Sequence, residues 1–135
     1  MKKRILIVDD DPQIGEIFAL KLKLHDYDSE FTTAGAKAVE LVRTGRFDLM
    51  FLDMVMPGLS GADVFHAVRT FSQIPIIIFT ARPDIFDTLK RLGISDYLSK
   101  PIHPDRMMEK IEAALSGKTE PAPLDAERNL GLEQA

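Results

Sequence analysis

The residues best equipped for chemistry in this sequence are charged or hydroxylated side chains placed directly after apolar runs. In "ILIVDDDP", residues 5–12, three consecutive aspartates follow a short apolar stretch. Asp53 closes the run "LMFL", Thr80 closes "IIIF", and Lys100 follows "DYLS". Acids at the start of a helix accept backbone N–H bonds and complement the helix dipole, for about 0.3–1 kcal/mol each. That account suits Asp11, one residue ahead of Pro12, but it does not cover Asp53. If Asp53 joins Asp9 and Asp10, each close pair of carboxylates adds repulsion on the order of 1 kcal/mol in water and several times that in a cleft. Something positive must offset it. Magnesium is the natural candidate, because it takes one or two carboxylates, several waters and substrate phosphate oxygens; manganese accepts the same hard oxygen ligands. The chain has no cysteine and no pair of histidines at ligand spacing, which argues against zinc. Lys100 supplies a compact positive charge for a phosphoryl oxygen or a carboxylate, and Thr80 a hydroxyl donor. A metal, a lysine, a hydroxyl and a spare carboxylate together suit phosphoryl transfer, which is largely positioning and charge stabilisation. Asp53 is then the carboxylate nucleophile that forms an aspartyl phosphate.

These side chains can meet only in a fold that gathers strand ends. Short apolar runs alternate with stretches of helical period, the pattern of parallel strands joined by crossover helices on both faces of a sheet. The strand candidates are residues 5–8, 29–32, 49–52, 76–79 and 96–99. The first, third and fourth are almost continuously apolar and read as buried on both sides, whereas the polar second and fifth read as edges. Helical stripes follow each: Ile14, Ile17, Phe18 and Leu22; Ala38, Leu41 and Val42, ended by Gly45; Val64, Phe65, Val68 and Phe71; Ile85, Phe86, Leu89 and Leu92, ended by Gly93; and Met107, Met108, Ile111, Ala114 and Leu115, ended by Gly117. The two methionines are read as core, since methionine fills irregular gaps. In an open parallel sheet, the carboxyl ends of the strands border the crevice where ligands bind.

The composition agrees with this plan. At 135 residues the chain fits one domain, with 45% hydrophobic and 28% charged residues. A net charge of −4 and the lack of any basic run longer than Lys2-Lys3-Arg4 argue against direct nucleic-acid binding. Only four apolar residues separate the basic start from the first acid, too few for a signal peptide or a membrane span. A cytoplasmic location is expected. Residues 1–117 are expected to form the domain, and 118–135, which carry two prolines, a flexible tail or the start of a linker. A short docking helix around Leu124, Leu130 and Leu132 is the alternative there.

The segments "ILIVDDDP", "LDMVMPGLSG", "IPIIIFTA" and "DYLSKP", in this order and each at a strand end, resemble the receiver domain of two-component response regulators over residues 3 to 117. The resemblance implies a flavodoxin-like (βα)5 sandwich with a five-stranded parallel sheet of order 2-1-3-4-5. It implies a phosphorylation switch in which Asp53 is the phosphoacceptor and Asp9, Asp10, Asp53 and the Val55 backbone carbonyl hold Mg2+. Thr80 and Lys100 would bind the phosphoryl group and Tyr97 would turn inward with Thr80, while Ala81, Arg82 and Pro101 take auxiliary places. The Lys100–Pro101 bond is similar to one that is cis in the family. The donor would be a phosphohistidine of a sensor histidine kinase or histidine phosphotransfer protein docking near the first helix. Output would pass through the face of helix 4, strand 5 and helix 5 to a downstream partner, a fused output domain or a second copy in a homodimer. Such a protein catalyses its own phosphoryl transfer and loss without being a turnover enzyme.

Two departures from the family pattern stand out. Only 20 positions separate Thr80 from Lys100, about two fewer than usual, a deficit of roughly 3 Å if it falls within helix 4. Val55 and Arg82 stand two residues beyond the acceptor and the threonine, positions that tune phosphate loss in the family; an apolar Val55 and a shielding Arg82 imply a long-lived mark. A magnesium phosphatase with an aspartyl nucleophile would carry a second acid where Val55 stands. A degenerate receiver would lack the acceptor or the acid pair, and all five side chains are present. His25 and His66 read as surface residues and His103 as the start of the last helix. No output domain fits the 18 residues after Gly117, so a stand-alone receiver and a receiver excised from a longer regulator are both expected alternatives.

Overall fold

A computed structural model describes residues 2–54, 56, 58–94 and 96–116 of the chain. Val55, Gly117 and the tail with Leu124, Leu130 and Leu132 lie outside the described residues. The strands are β1 (Arg4–Val8), β2 (Asp28–Thr32), β3 (Leu49–Asp53), β4 (Ile76–Thr80) and β5 (Tyr97–Ser99). The helices are α1 (Pro12–Leu24), α2 (Gly35–Arg43), α3 (Gly61–Arg69), α4 (Phe86–Arg91) and α5 (Pro104–Leu115), with a 3-10 turn at Pro83–Ile85 before α4. The strands form one parallel sheet in the order β2-β1-β3-β4-β5, the order the receiver resemblance implies, with the polar second and fifth runs at its edges.

Side chains on a strand alternate between faces, and this alternation divides the core in two. Ile5, Ile7, Leu49, Phe51, Ile77, Phe79 and Leu98 pack under α1 and α5 with Phe18, Leu22, Met107, Met108 and Ile111. Leu6, Val8, Met50, Leu52, Ile76 and Ile78 pack on the opposite face with α2, α3 and Leu89 of α4. Both methionines of α5 are buried, as expected.

Helix boundaries follow local chemistry. The Asp11 side chain caps α1 by accepting from the Gln13 N–H at 3.0 Å, with Pro12 in the first turn. Ser60 and Asp63 form a reciprocal capping box at α3. His103 starts α5, its Nδ1 accepting from the Asp105 N–H at 3.2 Å, and His25 and His66 are exposed, as predicted. Gly45 and Gly93, just past α2 and α4, have φ of 73° and 87°, a conformation favouring glycine.

Two apolar stripes need correction: Leu92, expected on the fourth, is 37% exposed and caps the end of α4, where no core remains to cover it. Ile17 was expected to face the core but is 54% exposed, with Leu20 at 62% and Leu24 at 74% on the same outer side of α1. Phe18 and Leu22 already fill the space above the sheet, so the stripe is wider than the core beneath it. The fourth helix is short, as the Thr80–Lys100 spacing implies: α4 has six residues against 12 in α5.

Candidate phosphoacceptor site

Four of the five expected residues occupy strand ends. Asp53 and Thr80 are the last residues of β3 and β4, Asp9 directly follows β1, and Lys100 directly follows β5. The parallel register pairs Val8 with Leu52 and Asp53 with Phe79, so these termini share one edge of the sheet. Asp10 sits beside Asp9 on the exposed side. One carboxylate oxygen from each of Asp9, Asp10 and Asp53 lies within 4.8 Å of the others. Asp9 is fully buried and Asp53 is 4% exposed.

Charged groups buried this deeply require compensation. The Lys100 ammonium donates to Asp9 Oδ2 at 2.9 Å and lies 3.5 Å from Asp53 Oδ1. Asp9 Oδ1 accepts the Asp11 N–H at 2.8 Å, so both oxygens of the buried acid are engaged. Burial alone would push the Lys100 pKa down; the hydrogen bond to Asp9 and the charges of Asp53 and Asp9 outweigh it and hold the ammonium above the ordinary lysine value. Lys100 is therefore charged throughout the neutral range. One ammonium beside three carboxylates leaves an excess of negative charge, and the oxygen-only donor set suits a hard divalent cation.

Strand parity places the remaining residues on the other face. Tyr97 packs against the α2/α3/α4 side of the core, its ring 4.3 Å from that of Phe86 at an interplanar angle of 36°. Thr80 is fully buried, and its Oγ1 accepts the Arg82 N–H at 3.0 Å. The Thr80 carbonyl accepts the Lys100 N–H at 2.6 Å, which ties the two strand ends together through the backbone. Ala81 is exposed, the Arg82 guanidinium pairs with Asp84 Oδ2 at 3.0 Å, and the Lys100–Pro101 peptide is cis.

Gly61 supports the site from the helix above and is not apparent from charge or spacing. A Cβ there would collide with the carbonyl oxygen of Asp53 and come within 2.7 Å of Met54 Cα. Its N–H also donates to the Met54 carbonyl at 3.0 Å. The signal was present in "LSG", where a serine that caps α3 is followed by the glycine of its first turn.

Residues 5–112 match the family model for the response regulator receiver domain. The chain belongs to that family. Among curated relatives, the DNA-binding response regulator MtrA of Mycolicibacterium smegmatis is 37% identical over 125 residues, covering 90% of this chain and 55% of its own length. The transcriptional regulatory protein BaeR of Escherichia coli is 33% identical over 114 residues, covering 83% of this chain and 48% of its own. This receiver thus spans about half the length of these relatives. Among solved structures, the chemotaxis protein CheY4 of Vibrio cholerae superposes with a TM-score of 0.78 at 26% identity, covering 85% of this chain and 100% of that one. The BeF3-activated N-terminal receiver domain of Klebsiella pneumoniae RstA gives 0.77 at 29% identity, covering 84% and 98%. Receivers are generally signalling modules of two-component systems, and the order of the five strands is the flavodoxin-like one expected of the family.

Proposed function

We propose that this receiver is a phosphorylation-activated switch in which Asp53 accepts a phosphoryl group from a phosphohistidine. The reading is carried by one observation: three carboxylates from two strand ends converge within 4.8 Å, with the Lys100 ammonium on two of them. The donor oxygens fit Mg2+, held by Asp9, Asp10 and Asp53; the Val55 carbonyl is a further proposed ligand. When bound, the cation supplies positive charge to the acids and to the incoming phosphoryl oxygens.

The chain's own groups do the rest. Asp53 Oδ forms a bond to phosphorus as the P–N bond to the donor imidazole breaks, and the imidazole leaves with that electron pair. Lys100, already charged, neutralises an oxygen of the transferring group. Thr80 moves its hydroxyl from the Arg82 N–H to a phosphoryl oxygen, and Tyr97 follows by leaving its contact with Phe86. The α4–β5–α5 face then changes toward a downstream protein, a fused output segment or a second copy.

The α1 face is the proposed kinase or phosphotransfer docking surface. A pocket of about 440 Å³ lined by Asp11, Ile14, Ile17, Phe79, Lys100 and Ile102 opens beside the site. The exposed Ile17, Leu20 and Leu24 continue an apolar strip away from it, which suits the apolar surface of a helical donor. Val55 and Arg82 are proposed to slow hydrolysis. Arg82 is held by an exposed pair with Asp84 that exchanges readily with solvent, so a new phosphoryl charge can recruit it.

Incubation with acetyl phosphate and Mg2+, read by intact mass, tests the reading. A single added phosphoryl group that fails to form in EDTA is expected and should persist for minutes or longer after donor removal. Loss within seconds would contradict the slow-hydrolysis part, and no Mg2+-dependent addition would contradict the switch itself.

A further inference from the structure

Three phenylalanines meet beneath the acidic pocket. The rings of Phe18, Phe51 and Phe79 lie 5.8–6.1 Å apart in edge-on or tilted contact, within the range where aromatic pairs attract. Phe51 lies two residues before Asp53 on the same strand face, and Phe79 pairs with Asp53 across β3 and β4. All three are buried, so the charged site rests on an apolar floor. The Lys100 ammonium stands 4.9 Å from the centroid of the Phe79 ring while it contacts Asp9 and Asp53.

A cation within about 6 Å of an aromatic face is attracted by the ring quadrupole, more strongly where water is excluded. Lysine needs such help. Its four-carbon stem is flexible and its ammonium has no preferred bonding plane. Lys100 and Phe79 also line the 440 Å³ pocket described above, which offers space into which an unrestrained lysine can swing.

We propose that Phe79 is a positioning residue for phosphoryl transfer: its ring face holds the Lys100 ammonium against Asp9 and Asp53 and out of the adjoining pocket. This rests on Asp53 being the acceptor. An aliphatic residue at this buried strand position still fills most of the core volume, at some cost in packing, but leaves the lysine less restrained.

The test replaces Phe79 in the full chain with 4-fluoro-, 3,5-difluoro- and 3,4,5-trifluorophenylalanine, which keep the ring's shape while weakening its negative face. Phe79→Leu removes the ring. Phosphorylation by phosphoramidate at saturating Mg2+ is followed by intact mass. The rate constant is expected to fall stepwise along the fluorinated series, by about threefold at its end, with Phe79→Leu at least as slow. Equal rates across the series would overturn the proposal, even if Phe79→Leu alone were slow, because the ring would then act only by filling space. Borohydride reduction and peptide mapping of the native protein come first: modification elsewhere than Asp53, or none, would remove the acceptor reading along with the proposal, before any variant is compared.

Discussion

Asp9 shows how one buried side chain organises its neighbours. With no exposed surface, it accepts from the Lys100 ammonium on one oxygen and the Asp11 N–H on the other. Truncating one partner of such a buried pair leaves the other uncompensated, commonly at about 3–5 kcal/mol; Lys100→Met should therefore lose much of that stability in urea unfolding unless added cation restores the balance. The lysine's raised pKa means that its stabilising contribution is fully present below the unfolded lysine value and fades only as pH rises through the higher folded one. Stability between pH 6 and 9 should consequently show no step from Lys100. Gly61 makes a separate prediction: a methyl group would push against the Asp53 backbone, and overpacking of this kind costs about 1–3 kcal/mol. Gly61→Ala should lower the urea midpoint, and an unchanged midpoint would show that the contact relaxes freely. The five candidate residues could be singled out in the sequence because they cluster where the runs ending at Val8, Leu52, Phe79 and Ser99 stop. Which face each occupies was less evident: parity places Asp9, Asp53 and Lys100 above α1/α5 but Tyr97 on the other side, and only the observed strand ends fix that count.

At the scale of elements, α1 has two unlike faces. Phe18 and Leu22 bury against the sheet, whereas Ile17, Leu20 and Leu24 do not. Leu22→Ala should cost about 2–5 kcal/mol, while Leu20→Ser should change stability by no more than about 0.5 kcal/mol. Chemical denaturation of the two variants checks this directly; a large loss for Leu20→Ser would mean that the outer strip is structural. Helical periodicity alone could not separate these faces, since a stripe of apolar residues has the same spacing whether its outer edge meets a core or solvent. Periodicity did locate the five α-helices of the described residues, and the short spacing between Thr80 and Lys100 does coincide with a short α4. The 3-10 turn before it was not legible, because Pro83 fits the first turn of either helix type.

For the molecule as a whole, the two edges of the sheet were legible from the polarity of the second and fifth runs, whereas the order of the three interior strands followed only from the likeness to receivers. If the cluster of Asp9, Asp10 and Asp53 holds the proposed cation, overall stability should respond to divalent cations. Binding only to the folded state stabilises it by about 2.7 kcal/mol at a hundredfold excess over Kd, so Mg2+ should raise the Tm of the native protein and do so far less for Asp10→Asn. An equal rise in both would place the cation elsewhere. Among the described residues no helix is long and apolar enough to cross a membrane.

The most direct measurement is the location of the modified residue. After reaction with acetyl phosphate and Mg2+, borohydride reduction converts an aspartyl phosphate to homoserine, which peptide mass mapping can assign. Homoserine at position 53 in the native protein, and at no position in Asp53→Asn, is the predicted result. Homoserine at another acid, or unchanged labelling in Asp53→Asn, would contradict the account.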